Sequence, residues 1–488
     1  MIEPTLEEII RSDNPWWSNT PQSSVSPLKR WVFEPVIKRL KAGMTPVVAL
    51  RGPRQVGKTT LIQQIIQQLL DEGVPTHHIL RVQFDDLPTF TAQHEPILGI
   101  SYWFEKHILG KPFNTAAHEG QLAYLFFDEL QNIPYWAPQL KHLVDMSSVR
   151  VMITGSSALQ IARGQDSLAG RVSTIEMGPL FLREIAAFRD WDEIPPFLKP
   201  FNGLAQLKAQ IFWQDLREFG QQHQTIRQSA FTAFSERGAY PIAHLYPDTP
   251  WEEMADQLNE TIIKRVILHD LQKRETEHDE RLLETVFRLS CRYIGQTPKP
   301  KLYIEEIKRI MQADIGWQRI LNYLELLDSS LLLRLIEPLD IRLKRRLGGD
   351  KLCLCDHALR ASWLQEIIPL TEVGLSAHPH LSVLAGHIAE STVGYFLSSL
   401  LHLEMAHFPE RGSEPEVDFI LTVGDQRIPI EVKYRKKIDF SDLRGLLSFI
   451  KQPIYNAPFG LLITQTESTP INDQRIVQMP LSTLLLMR

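Results

Sequence analysis

The eight residues GPRQVGKT, Gly52 to Thr59, constrain the fold more tightly than any other stretch, because their pattern requires a strand before it and a helix after it. Both flanks are present. Val47 to Leu50 is an unbroken apolar run, the composition of a strand buried on both faces of a parallel sheet. Downstream, Leu61/Ile62, Ile65/Ile66 and Leu69/Leu70 recur every four residues, as on the buried face of a helix. A chance glycine turn would need neither. The spacing G-x-x-x-x-G-K-[ST] is that of a phosphate loop. Gly57 lets backbone N–H groups close on phosphate oxygens, Lys58 reaches the β- and γ-phosphates, and the Thr59 hydroxyl can ligate Mg²⁺. The candidate ATP-binding residues are therefore Gly52, Pro53, Arg54, Gln55, Val56, Gly57, Lys58, Thr59 and Thr60.

Two later strands should complete the site. The stretch LAYLFFDELQ, from Leu122, is a second buried run, and it ends in Asp128 and Glu129. At that strand end Asp128 would join Thr59 around Mg²⁺, and Glu129 would orient or deprotonate the attacking water. A simple helix cap is the alternative for two adjacent acids, but a phosphate loop upstream favours the catalytic reading. The strand Val149 to Thr154 ends in small polar residues; Ser156 is placed to sense a γ-phosphate, with Thr154 and Ser157 as close rivals. Arg171, in LAGRV, is the candidate for neutralising charge that develops on the phosphates, although an isolated arginine is more often a surface or ion-pair residue. The run Ile79 to Leu87 should add a strand, with Asp85 and Asp86 lining the site or capping the next segment.

With 488 residues the chain has room for several domains, each with its own core. A net charge of -6 argues against a surface that coats nucleic acid throughout, yet leaves room for a local basic patch. Three cysteines, Cys291, Cys353 and Cys355, build neither a disulfide framework nor a zinc site, so buried free thiols in a reducing compartment are expected. The acidic N-terminus is no signal peptide, and no apolar run approaches the ~18 residues that span a bilayer. A soluble, cytoplasmic protein without membrane contact is the expectation.

The middle of the chain reads as helical. From Leu302 a helix, a turn at Asp314 to Gly316, a second helix and two short strands follow in the order of a winged helix. Between those strands Arg342, Lys344, Arg345 and Arg346 would suit a phosphate backbone, and Trp317, Gln318, Arg319 and Asn322 would face a groove. Packing against a neighbour is the competing reading.

In the last third, Glu416, Asp418, Glu431 and Lys433 sit at alternate positions of two adjacent strands, and Glu390 lies on an amphipathic helix upstream. An acid on a helix, an acid on a strand and Glu-x-Lys on the next strand is the order of a PD-(D/E)xK nuclease core. Glu390, Asp418 and Glu431 would then hold Mg²⁺ or Mn²⁺, and Lys433 would activate water or offset phosphorane charge. Glu416 is an extra ligand or only a neighbour. The basic run Tyr434 to Lys437 favours contact with a nucleic-acid backbone. A charged structural hairpin, or a nuclease fold without activity, also fits these residues.

The order of the phosphate loop, FDD, LFFDELQ, ITGSSA and LAGR…GPLFLREI, then ERGAYPIAHL, ETIIKRVILHDL and EVDF…IEVK, resembles bacterial and archaeal AAA-type ATPases. Those ATPases carry a C-terminal domain of unknown function 4143 with a restriction-endonuclease-like core. The resemblance runs from about residue 30 and leaves the segment 190–228 unplaced. It implies an N-terminal extension at 1–30, an AAA-type P-loop ATPase at 31–185, a helical region at 186–294, a winged helix at 295–375 and a PD-(D/E)xK-like α/β domain at 376–488. The implied function couples ATP hydrolysis to binding or metal-dependent cleavage of DNA, in defence or mobile-element biology. RNA in place of DNA, and a homo-oligomer built through the ATPase domain, stay open. The second reading is an ATP-switched DNA-binding regulator or scaffold whose nuclease-like domain is inactive.

Overall fold

The apolar runs around the phosphate loop form one all-parallel sheet of β1 (Val47–Arg51), β2 (Ile79–Gln83), β3 (Ala123–Asp128), β4 (Val149–Gly155) and β5 (Val172–Glu176), in the order β2-β3-β4-β1-β5. The computed structural model describes residues 2–18, 20, 25–84, 95–155, 168–198, 204–267, 277–340, 349–400, 403–467, 471 and 473–488. Leu50 lies opposite Thr154 and Phe127 opposite Ile153, so the C-terminal ends of β1, β4 and β3 open on one edge of the sheet. The helix Lys58–Asp71 leaves that edge and buries Leu61, Ile62, Ile65, Ile66 and Leu69, the face that the four-residue period picks out.

The N-terminal residues are not a separate extension. The helix Pro4–Asp13 buries Leu6 and Ile10 in the same core as Val47 and Leu125. Asn14 then pairs with Arg81 twice, donating through Nδ2 to its carbonyl and accepting its N–H at Oδ1, both at 2.7 Å. Trp16 Nε1 and Trp17 Nε1 both donate to the Ile79 carbonyl. Side chains thus satisfy the free backbone groups of the edge strand β2 and close it to further pairing. The chain divides into two compact units at Met177/Gly178 rather than at 185, and everything from Gly178 to Arg488 forms the second unit.

That unit is built on a mixed sheet of β8 (Glu404–Phe408), β9 (Val417–Val423), β10 (Gln426–Lys433), β11 (Gly460–Thr464) and β12 (Ile476–Pro480), in the order β12-β11-β10-β9-β8. β8, β9 and β10 are antiparallel neighbours, whereas β10, β11 and β12 run parallel. The helices Pro300–Met311 and Trp317–Ser329 precede the antiparallel hairpin of β6 (Leu333–Ile336) and β7 (Lys351–Leu354), in the expected order. Gln318, Arg319 and Asn322 are not buried, while half-buried Trp317 leans on Tyr303. Arg342, Lys344, Arg345 and Arg346 lie outside the described residues. The segment 190–228 also finds its place here. Its helix Gln210–Gln222 packs on β12, Lys208 pairs with Asp425 at 2.6 Å, and the Lys208 carbonyl accepts from Gln426 Nε2 at 2.9 Å. All three cysteines are buried free thiols. No helix among the described residues is long and apolar enough to cross a membrane.

Two histidines of this unit are buried as neutral rings. Arg189 Nε–H donates to His244 Nδ1 at 3.3 Å, which leaves Nε2–H to donate to the Gly238 carbonyl at 2.9 Å and fixes the tautomer. Burial lowers His244 to about 4, and burial beside Lys351 does the same for His407. The unfolded chain takes these protons below its usual value of 6.5. The contribution of each ring is therefore complete above 6.5, is lost as pH falls toward 4, and amounts to on the order of 3 kcal/mol. His244→Gln should accordingly flatten the loss of stability between pH 6.5 and 4.5 by about 2 kcal/mol in denaturant titrations. An unchanged pH slope would contradict the neutral buried ring.

Candidate active site

At the C-terminal edge of the parallel sheet the phosphate loop turns through left-handed backbone at Gln55 (φ 64°) and Gly57 (φ 98°) into the helix that begins at Lys58. Lys58 is buried and curls over its own loop, donating to the Gly52 carbonyl at 3.0 Å and the Pro53 carbonyl at 2.9 Å. Phosphate oxygens, being charged, bond a buried ammonium more strongly than these carbonyls do. Thr59 Oγ1 donates to Asp128 Oδ2 at 2.8 Å, which joins the two expected Mg²⁺ ligands across the 69 residues that separate them in sequence. Both residue types fit a Mg²⁺–phosphate group, Thr59 at a helix N-terminus and Asp128 at the end of β3.

Asp128 is fully buried. Burial pushes its carboxyl up, and the Thr154 and Thr59 hydroxyls pull against that. Thr154 Oγ1 donates to Asp128 Oδ1 and accepts the Glu129 N–H at 3.1 Å, so one hydroxyl fixes both acids. Glu129 itself sits at φ 53°, ψ 41°, a left-handed conformation uncommon for glutamate and frequent where a site over-determines its backbone. Its carboxylate accepts from Gln131 Nε2. The structure thus brings together Lys58, Thr59, Asp128, Glu129 and Thr154. Ser156 and Ser157 lie outside the described residues, as do Asp85 and Asp86.

Arg171 is not at this edge. It precedes β5, its carbonyl accepts the Val47 N–H at 3.1 Å, and its guanidinium pairs with Asp145. β5 runs parallel to β1, so Arg171 stands beside the start of β1, a strand length of roughly 16 Å from the phosphate loop. It cannot neutralise phosphate charge on its own chain.

The second cluster forms in the mixed sheet. Glu390 from the helix Ser382–Ser398, Asp418 from β9 and Glu431 with Lys433 from β10 converge, as their sequence order predicts. The sequence did not point to a fifth member, Lys351, the first residue of β7. Its buried ammonium pairs with Glu390 Oε1, with Asp418 Oδ1 at 3.3 Å and with half-exposed Glu416 at 3.7 Å. The Phe419 ring lies beneath it, with its centroid 5.0 Å away. Asp418 Oδ2 accepts the Val432 N–H at 2.8 Å, and Lys433 donates to Glu431 Oε1.

Burial alone would push Asp418 up, but the Lys351 and Lys433 charges hold it below the usual carboxylate range. Burial and the Asp418 charge raise Glu390 well above its usual value and Glu431 to about 8. The expected metal set of Glu390, Asp418 and Glu431 is therefore not assembled as one. An ammonium stands between two of its members, and no group of three or more His, Cys, Asp or Glu among the described residues is arranged to hold a metal ion. In the adjacent basic run Arg435, Lys436 and Lys437 are exposed. Tyr434 is buried with its hydroxyl on the Leu370 carbonyl, Arg435 pairs with Asp442, and Lys436 pairs with Glu372 at 2.8 Å.

Comparison with known proteins follows the same division. Residues 44–186 match the AAA domain family, and residues 385–484 match a domain of unknown function, DUF4143. An uncharacterized protein of Methanocaldococcus jannaschii is 24% identical over 432 residues, which cover 85% of this chain and 80% of that protein. An uncharacterized protein of Mycobacterium tuberculosis is 31% identical over 152 residues, 30% of this chain and 29% of its own. One from Haemophilus influenzae is 23% identical over 322 residues, covering 64% and 68%. Among solved structures, a Walker-type ATPase of Pyrococcus abyssi overlays 70% of this chain and 99% of its own at 12% identity, with a TM-score of 0.43. The AAA match encloses β1 to β5 and all five residues of the first cluster, so the first unit carries an AAA-type P-loop ATPase domain.

Proposed function

We propose that this chain binds and hydrolyses ATP in its first unit and uses the nucleotide state to set the DNA affinity of its second unit, whose nuclease-like cluster does not cut. The observation that carries the first half is the hydrogen-bonded chain Thr59–Asp128–Thr154–Glu129 N at the mouth of the phosphate loop. Thr59 and Asp128 would hold Mg²⁺, which supplies charge against the phosphates. Lys58 binds the terminal phosphates. Glu129, held by its backbone and by Gln131, accepts the proton of the attacking water.

DNA as the ligand is supported by Arg342, Lys344, Arg345 and Arg346, four cations in five residues, more than solubility asks of so short a stretch. The ammonium of Lys351 among the carboxylates favours binding over metal-dependent cleavage. The test is duplex affinity measured against salt, with the hydrolysis-deficient Glu129→Gln protein in ATP and in ADP. Neutralising all four cations should weaken binding and lower the slope of log affinity against log salt by about 0.9 for each phosphate that the protein no longer neutralises. Affinity should also differ between the two nucleotides. An unaltered slope and one affinity in both nucleotides would overturn the DNA half of the reading; single-stranded RNA in the same assay reports the other nucleic acid.

A further inference from the structure

We propose that the ammonium of Lys351 is the resident cation of the Glu390–Asp418 cluster and holds the place of a divalent metal, so that the site takes up a divalent ion only when that ammonium is removed. The inference rests on the reading of a second unit that binds without cutting, and it says why. Lys351 is only 1% exposed, and a charge so deeply buried persists only against matched acids. It has them on three sides, from the helix Ser382–Ser398, from β9 and, further out, from Glu416.

A divalent ion would need the same oxygens. Mg²⁺ binds oxygen at about 2.1 Å and Ca²⁺ at about 2.4 Å, so an ion would compete with Nζ for the two oxygens it contacts, Asp418 Oδ1 and Glu390 Oε1. The remaining oxygens are also committed. Asp418 Oδ2 takes the Val432 N–H, and Glu431 Oε1 takes Lys433. Of the acids from the expected metal set, Glu431 Oε2 is the buried oxygen without a hydrogen-bond partner, and one oxygen makes no cage.

The backbone that carries Lys351 is fixed. Lys351 opens β7, where it pairs with Ile336 of β6. β7 is clamped to the acid-bearing helix: Ser391 Oγ accepts the Leu354 N–H at 2.9 Å, and a Cβ on Gly394 would lie 2.3 Å from Cys353 Sγ. A displacement of the β6–β7 hairpin would carry the ammonium out of the cluster.

Mn²⁺ uptake by the nucleotide-free full chain, read by electron paramagnetic resonance, tests this without any nucleic acid, so its outcome is separate from that of the DNA and cleavage assays. Wild type and Asp418→Asn should bind Mn²⁺ alike. Lys351→Met, which keeps the side-chain volume, should gain one ion at least tenfold tighter than any wild-type site, and Lys351→Met/Asp418→Asn should lose it again. Wild-type uptake that Asp418→Asn abolishes would overturn the proposal, and so would a folded Lys351→Met protein that gains no ion. Should Lys351→Met not fold, Lys351→Gln takes its place in the same comparison, and the wild-type arm decides by itself whether metal and Lys351 coexist.

Discussion

Lys58→Ala should abolish tight ATP binding, whereas Glu129→Gln should bind ATP as wild type does and release phosphate roughly 10²- to 10⁴-fold more slowly. The two residues act at different stages. Lys58 contributes a buried charge at the phosphate loop, and its removal leaves the phosphates without the cation of the loop helix. Glu129 is anchored by its own N–H on Thr154 and so keeps its place as glutamine, which still orients a water but cannot take its proton. Calorimetry with ATP and a phosphate-release assay separate the effects. Equal loss of ATP binding in both variants would contradict this division of roles.

Gly238→Ala should destabilise the second unit by about 2–5 kcal/mol, summing left-handed strain with loss of a helix cap. Gly238 adopts φ 73° and ψ −152°, a region essentially confined to glycine. A Cβ there would lie 2.4 Å from Asp356 Oδ1 and 2.4 Å from the Ala358 Cβ. Asp356 has little room to retreat. Its Oδ2 accepts the Ala239 N–H at 2.6 Å, and its Oδ1 accepts the Ala358 N–H at 2.9 Å, capping the helix His357–Leu364. Denaturant unfolding of wild type and variant measures the difference, and a loss below 1 kcal/mol would mean that this junction is softer than its geometry implies. The glycine of the ERGAYP stretch thus has a physical reason: a buried carboxylate must reach two backbone segments past it.

The ATPase site was legible because its chemistry fixes spacing. The interval from Gly52 to Lys58, and an acid pair ending an apolar strand, leave little freedom. Arg171 was misplaced for a reason visible only in the sheet: a residue just before a parallel strand lies at the edge opposite the phosphate loop. Thr154 stood among the rivals for a polar role, but its hold on both acids depends on β4 lying between β1 and β3. Asp418, Glu431 and Lys433 were found through the two-residue period of adjacent strands, and Glu390 through the amphipathic helix upstream of them. Lys351 escaped because it comes from a hairpin read as a separate domain. The signal was present in KLCLC, where a lysine shares a strand face with two buried cysteines. The N-terminal helix and the segment 190–228 were equally unreadable, since each is placed by contacts with a sheet supplied from elsewhere in the chain.

The central claim is that the first unit turns over ATP with Thr59, Asp128 and Glu129 as its working residues. Single-turnover phosphate release from wild-type protein, mixed with ATP and Mg²⁺, tests it most directly. The account predicts that bound ATP is converted to ADP and phosphate in wild type and persists intact in Glu129→Gln. ATP that binds wild type and stays unhydrolysed, or that Glu129→Gln cleaves at the wild-type rate, would contradict it.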